Sequence, residues 1–236
     1  MMIVAEERIK TGVAGLDEML QGGLPENHIV VLMGSFGTGK TTFGLQFLVE
    51  GLKNGEPCMF ISLEEDKDSV VRNAASFGWD LSKAVETKKL GVYKIEPSDV
   101  KTTVTRIKSD LPKFIKSFGA KRVVIDSVSL LNMMFPDDNE RRANLFNLCH
   151  LLRSTGATTL LTAEVKDENP RSSRDGLAEY TADGVILLQS EEDKSSGEVQ
   201  LTVRILKMRR SGHSRRVKPY SITDGGIIVH AGADMF

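Results

Sequence analysis

Cysteine is nearly absent from this chain of 236 residues: there are two, Cys58 and Cys149. So far apart, they form neither a disulfide framework nor a metal cluster. Charge of one sign is missing too. Thirty-one Lys plus Arg against 32 Asp plus Glu leave a net charge of −1, so no global field draws the chain to nucleic acid or to a membrane surface. No apolar run reaches the ~18 residues of a membrane-spanning helix. The opening MMIVAEERIK places acids where a secretory signal needs a cationic end and an apolar centre. There is no repeat, low-complexity tract or linker. These absences predict a soluble, cytoplasmic protein. What is present is 40% hydrophobic residues in a length that suits one large domain and buries roughly 70% of its unfolded surface.

Apolar runs alternate with helical stretches. Residues 28–33 (HIVVLM) read as a strand, and 40–53 as a helix with Phe43, Phe47, Leu48 and Leu52 on one face. Further strands are expected at 58–63, 91–95, 122–126, 157–163 and 184–188. Val104, Ile107, Leu111, Ile115 and Phe118 form a helical stripe that Pro112 should kink or split. Leu145, Leu148 and Leu152 mark another helix. Strand–helix alternation with continuous apolar strands predicts a mainly parallel sheet covered on both faces. The last 50 residues alternate with period two instead. Residues 185–189 and 199–208 should pair as an antiparallel hairpin, followed by strands at 215–222 and 227–229 with a turn at Asp224-Gly225-Gly226.

One motif carries chemistry outright. Gly34-Ser35-Phe36-Gly37-Thr38-Gly39-Lys40-Thr41 satisfies GxxxxGK[ST], with a strand before it and an amphipathic helix after it. Its glycines let successive backbone N–H groups converge on phosphate oxygens, and the helix start adds the positive end of its dipole. Lys40 would reach the β- and γ-phosphates, and the Thr41 hydroxyl would hold Mg²⁺. Arg122-Val123-Val124-Ile125-Asp126 is a strand ending in a carboxylate, which places Asp126 in the magnesium shell; its plainer alternative is a helix cap. Glu64, Glu65 and Asp66 follow a buried strand. Glu64 or Glu65 would polarise the water attacking the γ-phosphate, with Asp66 capping the next helix; an acidic first helical turn is the plainer alternative.

In 199–209, Val199, Leu201, Val203 and Ile205 share one face, which Lys207 and Arg209 would continue. Cations in an inward register need an anion. The preferred reading gives Lys207 and Arg209 a nucleotide phosphate held by a neighbouring subunit. The alternatives are a solvated basic edge and a nucleic-acid contact, for which no aromatic residue is interleaved before Tyr220.

Taken in order, these segments resemble the KaiC-like ATPases of the RecA superfamily. The matches are Lys10-Thr11-Gly12, Gly15-Leu16-Asp17, Gly22-Gly23-Leu24-Pro25, the motif 34–41, Glu64-Glu65, Ser76-Phe77-Gly78-Trp79 and Val124-Ile125-Asp126-Ser127. Thr162-Ala163-Glu164, Ala182-Asp183-Gly184, Lys207-Met208-Arg209, His213 and Ile222-Thr223-Asp224 complete the series. The resemblance implies one RecA-like α/β domain over residues 8–230 between short tails, with a C-terminal antiparallel extension. It implies ATP and Mg²⁺ at residues 34–42, Thr42 included, and catalytic Glu64, Glu65 and Lys40. It further implies a homo-hexameric ring in which Lys207, Met208, Arg209, Ser211 and His213 reach ATP on the next subunit. Glu179-Tyr180 stand where the clock protein carries its phosphorylated Ser–Thr pair, which argues against clock-type phosphorylation there. Arg210 stands where the family usually has Gly. Three functions follow: a slow ATPase acting as a switch, a DNA-stimulated recombinase-like ATPase using the loop 166–176, and a non-hydrolysing ATP sensor. The loop's charges balance, which gives little counterion-release drive, and Glu64 and Glu65 argue for hydrolysis.

Overall fold

Every second residue of the first apolar run is buried on one side of a sheet and its neighbours on the other. In the computed structural model, which describes residues 7–96, 109–135, 137–165, 173, 178–192 and 198–233, Ile29, Val31 and Met33 join one core while Val30 and Leu32 join another. Burial on both faces is what continuous apolar strands require. A two-residue clip, β1 (Arg8–Ile9) paired antiparallel with β2 (Leu24–Pro25), was not foreseen. The main strands follow: β3 (Ile29–Gly34), β4 (Cys58–Ser62), β5 (Leu90–Lys94), β6 (Arg122–Asp126), β7 (Thr158–Glu164), β8 (Gly184–Glu192), β9 (Val199–Met208), β10 (Lys218–Thr223) and β11 (Gly226–Val229). Their order is β11-β10-β9-β8-β3-β7-β6-β4-β5. Every pairing from β8 to β5 is parallel, and the three beyond β8 are antiparallel.

The described helices are α1 (Leu16–Met19), α2 (Lys40–Lys53), α3 (Lys67–Ser76), α4 (Ser82–Glu86), α5 (Leu111–Phe118), α6 (Val128–Met133), α7 (Asp138–Arg153) and α8 (Ala178–Thr181). Phe43, Phe47 and Leu48 of α2 pack with Val70 and Ala74 of α3 on one face; Ile115 of α5 and Leu145, Leu148 and Leu152 of α7 pack on the other. Pro112 stands in the first turn of α5, where its missing N–H costs nothing, and Ser109 and Asp110 just before it are wound as π-helix. Val104 and Ile107 of the expected stripe lie outside the described residues. Cys58 and Cys149 are buried free thiols. No described helix is long and apolar enough to cross a membrane.

Two expectations shift. β10 begins at Lys218 rather than 215 and pairs with β9 only through Lys218 and Pro219; Pro219 has no N–H to extend that ladder. Gly226 belongs to β11, so the turn is Asp224-Gly225. Arg122, the first residue of β6, is only 1% exposed. It survives there because Nε donates to Glu56, Nη1 donates to the Lys10 and Phe47 carbonyls, and the guanidinium lies 4.8 Å from the Phe47 ring centroid.

Candidate nucleotide site

Four parallel strands end side by side. Gly34 of β3 is level with Glu164 of β7, and Ser62 of β4 with Asp126 of β6. Since β7 and β6 are neighbours in the sheet, one edge receives the Gly-rich turn, two carboxylates and the acidic turn after Ser62. Carboxyl edges of parallel sheets are where such folds hold ligands.

The turn 35–39 closes into α2 through two residues that tolerate no side chain. Gly39 has φ 81° as the helix N-cap, and a Cβ on Gly34 would come within 2.5 Å of Thr38 Oγ1 and 2.8 Å of the Leu188 carbonyl. The loop is pinned from outside as well. Tyr220 of β10 donates to the Thr38 carbonyl at 2.6 Å, and burial pushes its phenol well up. Thr38 itself donates to Ser35 O at 2.8 Å. Gln46 of α2 donates to the Gly12 and Ile227 carbonyls and accepts from Ile227 N, clamping the entry segment and β11 to the helix that carries the turn. Phe36 projects from the turn at 90% exposure, whereas Thr42 is buried beneath it.

Lys40 Nζ donates to the carbonyls of Gly34 and Ser35 at 2.9 and 2.8 Å. Burial lowers its pKa, against the raising fields of Glu164, Asp126 and Glu64. Thr41 Oγ1 donates to Asp126 Oδ2 at 2.7 Å, and Thr162 donates to the other oxygen, Oδ1. Hydroxyl and carboxylate oxygens side by side are the hard donors that Mg²⁺ takes while retaining water, so the residues present fit that ion.

The acidic turn is held in place. Ser62 Oγ accepts from the N–H groups of Glu64 and Glu65 at 3.1 and 2.7 Å, and Ser127 Oγ donates to Glu64 Oε1 at 3.2 Å. Asp66 caps α3, accepting from Ser69 N at 2.8 Å; that bond holds its carboxyl below the usual range. Glu65 behaves oppositely. Burial, then the charges of Asp126, Glu64 and Asp66, raise its pKa, and its Oε2 is buried without a hydrogen bond. Thr162, Glu164, Ser127, Ser62 and Tyr220 had no assigned role in the sequence. Ser127, Thr162 and Glu164 stood in segments matched to the family, but their meeting around Asp126 depends on strand order, which is invisible locally.

Comparison with known proteins agrees with this geometry. A family described as "ATPase: KaiC" matches residues 9–234. The chain belongs to the KaiC ATPase family. A UPF0273 protein of Pyrococcus horikoshii is 37% identical over 236 residues, covering 94% of each chain. The circadian clock oscillator protein KaiC of Synechococcus elongatus is 34% identical over 232 residues, and the match spans 93% of this chain and 43% of the clock protein. The chain thus spans less than half the length of its clock-protein relatives. The crystal structure of a KaiC-like protein from Pyrococcus horikoshii superposes with a TM-score of 0.84 at 36% identity, covering 96% of this chain and all of that one.

In this KaiC-family chain the basic C-terminal residues lie at the opposite end of the strands. Gly184, level with Val30, pairs with Met208, so four residue steps at about 3.3 Å separate this level from Gly34, roughly 13 Å. A β-bulge between Val185 and Ile186 corrects the expected facing of Lys207 and Arg209: it inserts a residue into β9 and reverses the alternation. Met208 takes the inward place after Val203 and Ile205 and is 6% exposed over Gly184. That leaves the Met208 side chain nothing to offer another subunit. Lys207, turned to the other face, donates to the Ala182 carbonyl at 2.7 Å. Arg209 donates to Tyr180 O at 3.3 Å and lies 3.7 Å from Asp183 Oδ1, which Arg153 also pairs. Burial acts to raise the Asp183 pKa, but hydrogen bonds from Arg153 and Ile29 N–H and the Arg153 and His28 charges outweigh it and hold it low. Ser211 Oγ accepts from Arg8 Nη2 at 2.9 Å, and the His213 ring lies 2.9 Å from Ser214 O. Arg210, where the family usually has Gly, adopts φ 56°, the region in which Gly alone is unstrained. The loop 166–176 lies outside the described residues except Ser173.

Proposed function

We propose that the chain binds ATP with Mg²⁺ in the 34–42 turn and hydrolyses it to ADP and phosphate, slowly, within a homo-oligomeric ring that acts as a nucleotide-dependent switch. The observation that carries the reading is the Thr41–Asp126 hydrogen bond beside Lys40 and the raised Glu65. A lysine held by two loop carbonyls is ready to exchange them for phosphate oxygens, which bind an ammonium more strongly. Magnesium held by Thr41 and Asp126 would neutralise phosphate charge. Glu65, with its carboxylate made more basic by burial and like charges, takes the proton of the attacking water. Ser127 fixes Glu64 alongside it. Signal transfer has a path, because the phosphate turn touches β10 through Tyr220 and α2 touches β11 through Gln46.

Lys207 and Arg209 serve a neighbour's nucleotide, since they stand at the end of the sheet away from their own turn. Phosphate release and light scattering with ATP and Mg²⁺ test the whole reading. Mixing Arg209→Ala subunits with Lys40→Ala subunits tests the contact in trans. Each variant alone lacks one half of a site, and a mixed ring restores complete sites, so activity should rise above the sum. Strictly additive activities would reject it, and stimulation by single-stranded DNA would shift the reading to a recombinase-like ATPase.

A further inference from the structure

Three aromatic rings among the described residues are exposed well beyond the rest: Phe36 at 90%, Tyr180 at 68% and Phe146 at 59%. Tyr93 and Phe114, the next two, lean on each other edge to face with centroids 4.5 Å apart, so their exposure is already partly relieved. Phe36 stands on the phosphate turn, at the carboxyl end of β3. Phe146 of α7 and Tyr180 of α8 wall a groove of about 460 Å³ with Ala143, rimmed by Asn139, Arg142 and Asn147. The Tyr180 end of that groove lies toward the opposite end of the strands, because α8 leads directly into Gly184, which is level with Val30; the rest runs along α7, on the sheet face away from α2. Phe36 stands beside α2 on one face of the sheet and the groove lies on the helices of the other face, so the two cannot meet within one chain. They can meet between two copies stacked head to tail.

The charges agree. Glu64, Glu65, Asp126 and Glu164 lie at the edge around Phe36. Arg142 rims the groove, and Arg209 and Lys207 hold the backbone of Tyr180 and Ala182 beside it. An acidic edge carrying a protruding ring therefore complements an aromatic slot rimmed by the exposed Arg142. We infer that Phe36 of one copy seats in the Phe146–Tyr180 groove of the next. The contact is heterologous, so repeating it closes a ring or extends a filament. It rests on the trans-acting reading above and deepens it: the ring is the anchor that brings Arg209 to the neighbouring phosphate turn. Aromatic anchors in slots are the usual centres of such interfaces, with charged pairs at the rim.

The test uses the full chain, whose native thiols Cys58 and Cys149 are both buried. Phe36→Cys and Tyr180→Cys subunits, mixed with ATP and Mg²⁺ and treated with a short bismaleimide, should yield a cross-linked dimer that neither variant gives alone. In parallel, Phe146→Ala with Tyr180→Ala, both at exposed positions, should weaken assembly at least tenfold by light scattering while leaving circular dichroism unchanged. Assembly of the expected size without the mixed cross-link overturns the groove and keeps the ring. Tyr180→Cys cross-linking to itself assigns the groove to a two-fold partner and overturns the inference. A chain that stays monomeric at every concentration overturns the ring reading and this one with it.

Discussion

At the carboxyl ends of the parallel strands, Lys40 faces Glu64, Asp126 and Glu164, and Glu65 leans on the like charges of Asp126, Glu64 and Asp66. At the amino ends, Asp183 is enclosed by Arg153, Arg209 and the Ile29 N–H, and opposite charges are matched. One end stores electrostatic conflict that a divalent cation would relieve; at the other, Asp183 is already matched. Perturbed groups of the first kind gather where ligands bind, while matched pairs of the second kind hold a fold together. The same sheet thus separates an edge of crowded carboxylates from one where Asp183 is paired.

The largest expected break in that contrast is Lys40→Ala. Removing the ammonium from a cluster of carboxylates should cost ATP affinity about 100-fold or more, read by calorimetry with Mg²⁺. Retained micromolar binding would mean that the carboxylate edge is not a nucleotide site. Next in size is Glu64→Gln with Glu65→Gln, which should leave binding intact and slow phosphate release by about 10²–10⁴-fold; an unchanged rate removes the base from this edge.

Asp183→Asn probes the matched end through folding stability. It should lower unfolding stability by about 1–2 kcal/mol, reduced because Arg153 is a third exposed and Arg209 half. The folded-state pKa of Asp183 is depressed, so its contribution is present at neutral pH and lost as pH falls through that value. Urea midpoints of the two proteins should therefore converge at low pH. A constant gap would show that the charge is not what matters.

Glu65→Gln gives the smallest and most discriminating change. The folded-state pKa of Glu65 is raised, so the proton favours the folded form, and stability is lost as pH rises from about 4.3 through that value. In metal-free buffer at neutral pH, Glu65→Gln should be the more stable protein by about 0.5 kcal/mol, the exposed part of the side chain being screened by water. The gain should vanish at low pH. A destabilised Glu65→Gln would erase the distinction between the two edges.

Much of this was legible because the information is contiguous. The turn 34–41, the helix Lys40–Lys53, the capping role of Asp66 and the hairpin of β8 with β9 each rest on neighbouring residues whose spacing dictates local geometry. Even so, Phe36 read only as a position within a motif, and nothing in its neighbours says that it stands 90% exposed. The facing of Lys207 and Arg209 is not legible in the sequence, because a one-residue bulge reverses a strand's alternation and leaves no mark in the pattern of side chains.

Residue order was sufficient for the parallel sheet, the phosphate turn and the family, since apolar period, glycine placement and helix start are short-range properties. Folding in three dimensions had to bring Thr162, Ser127 and Ser62 around Asp126 and the acidic turn, set Tyr220 against Thr38, and send the basic strand end away from its own turn. Those contacts depend on which strands lie side by side. That order is chosen by how whole faces pack, and no stretch of chain carries it alone.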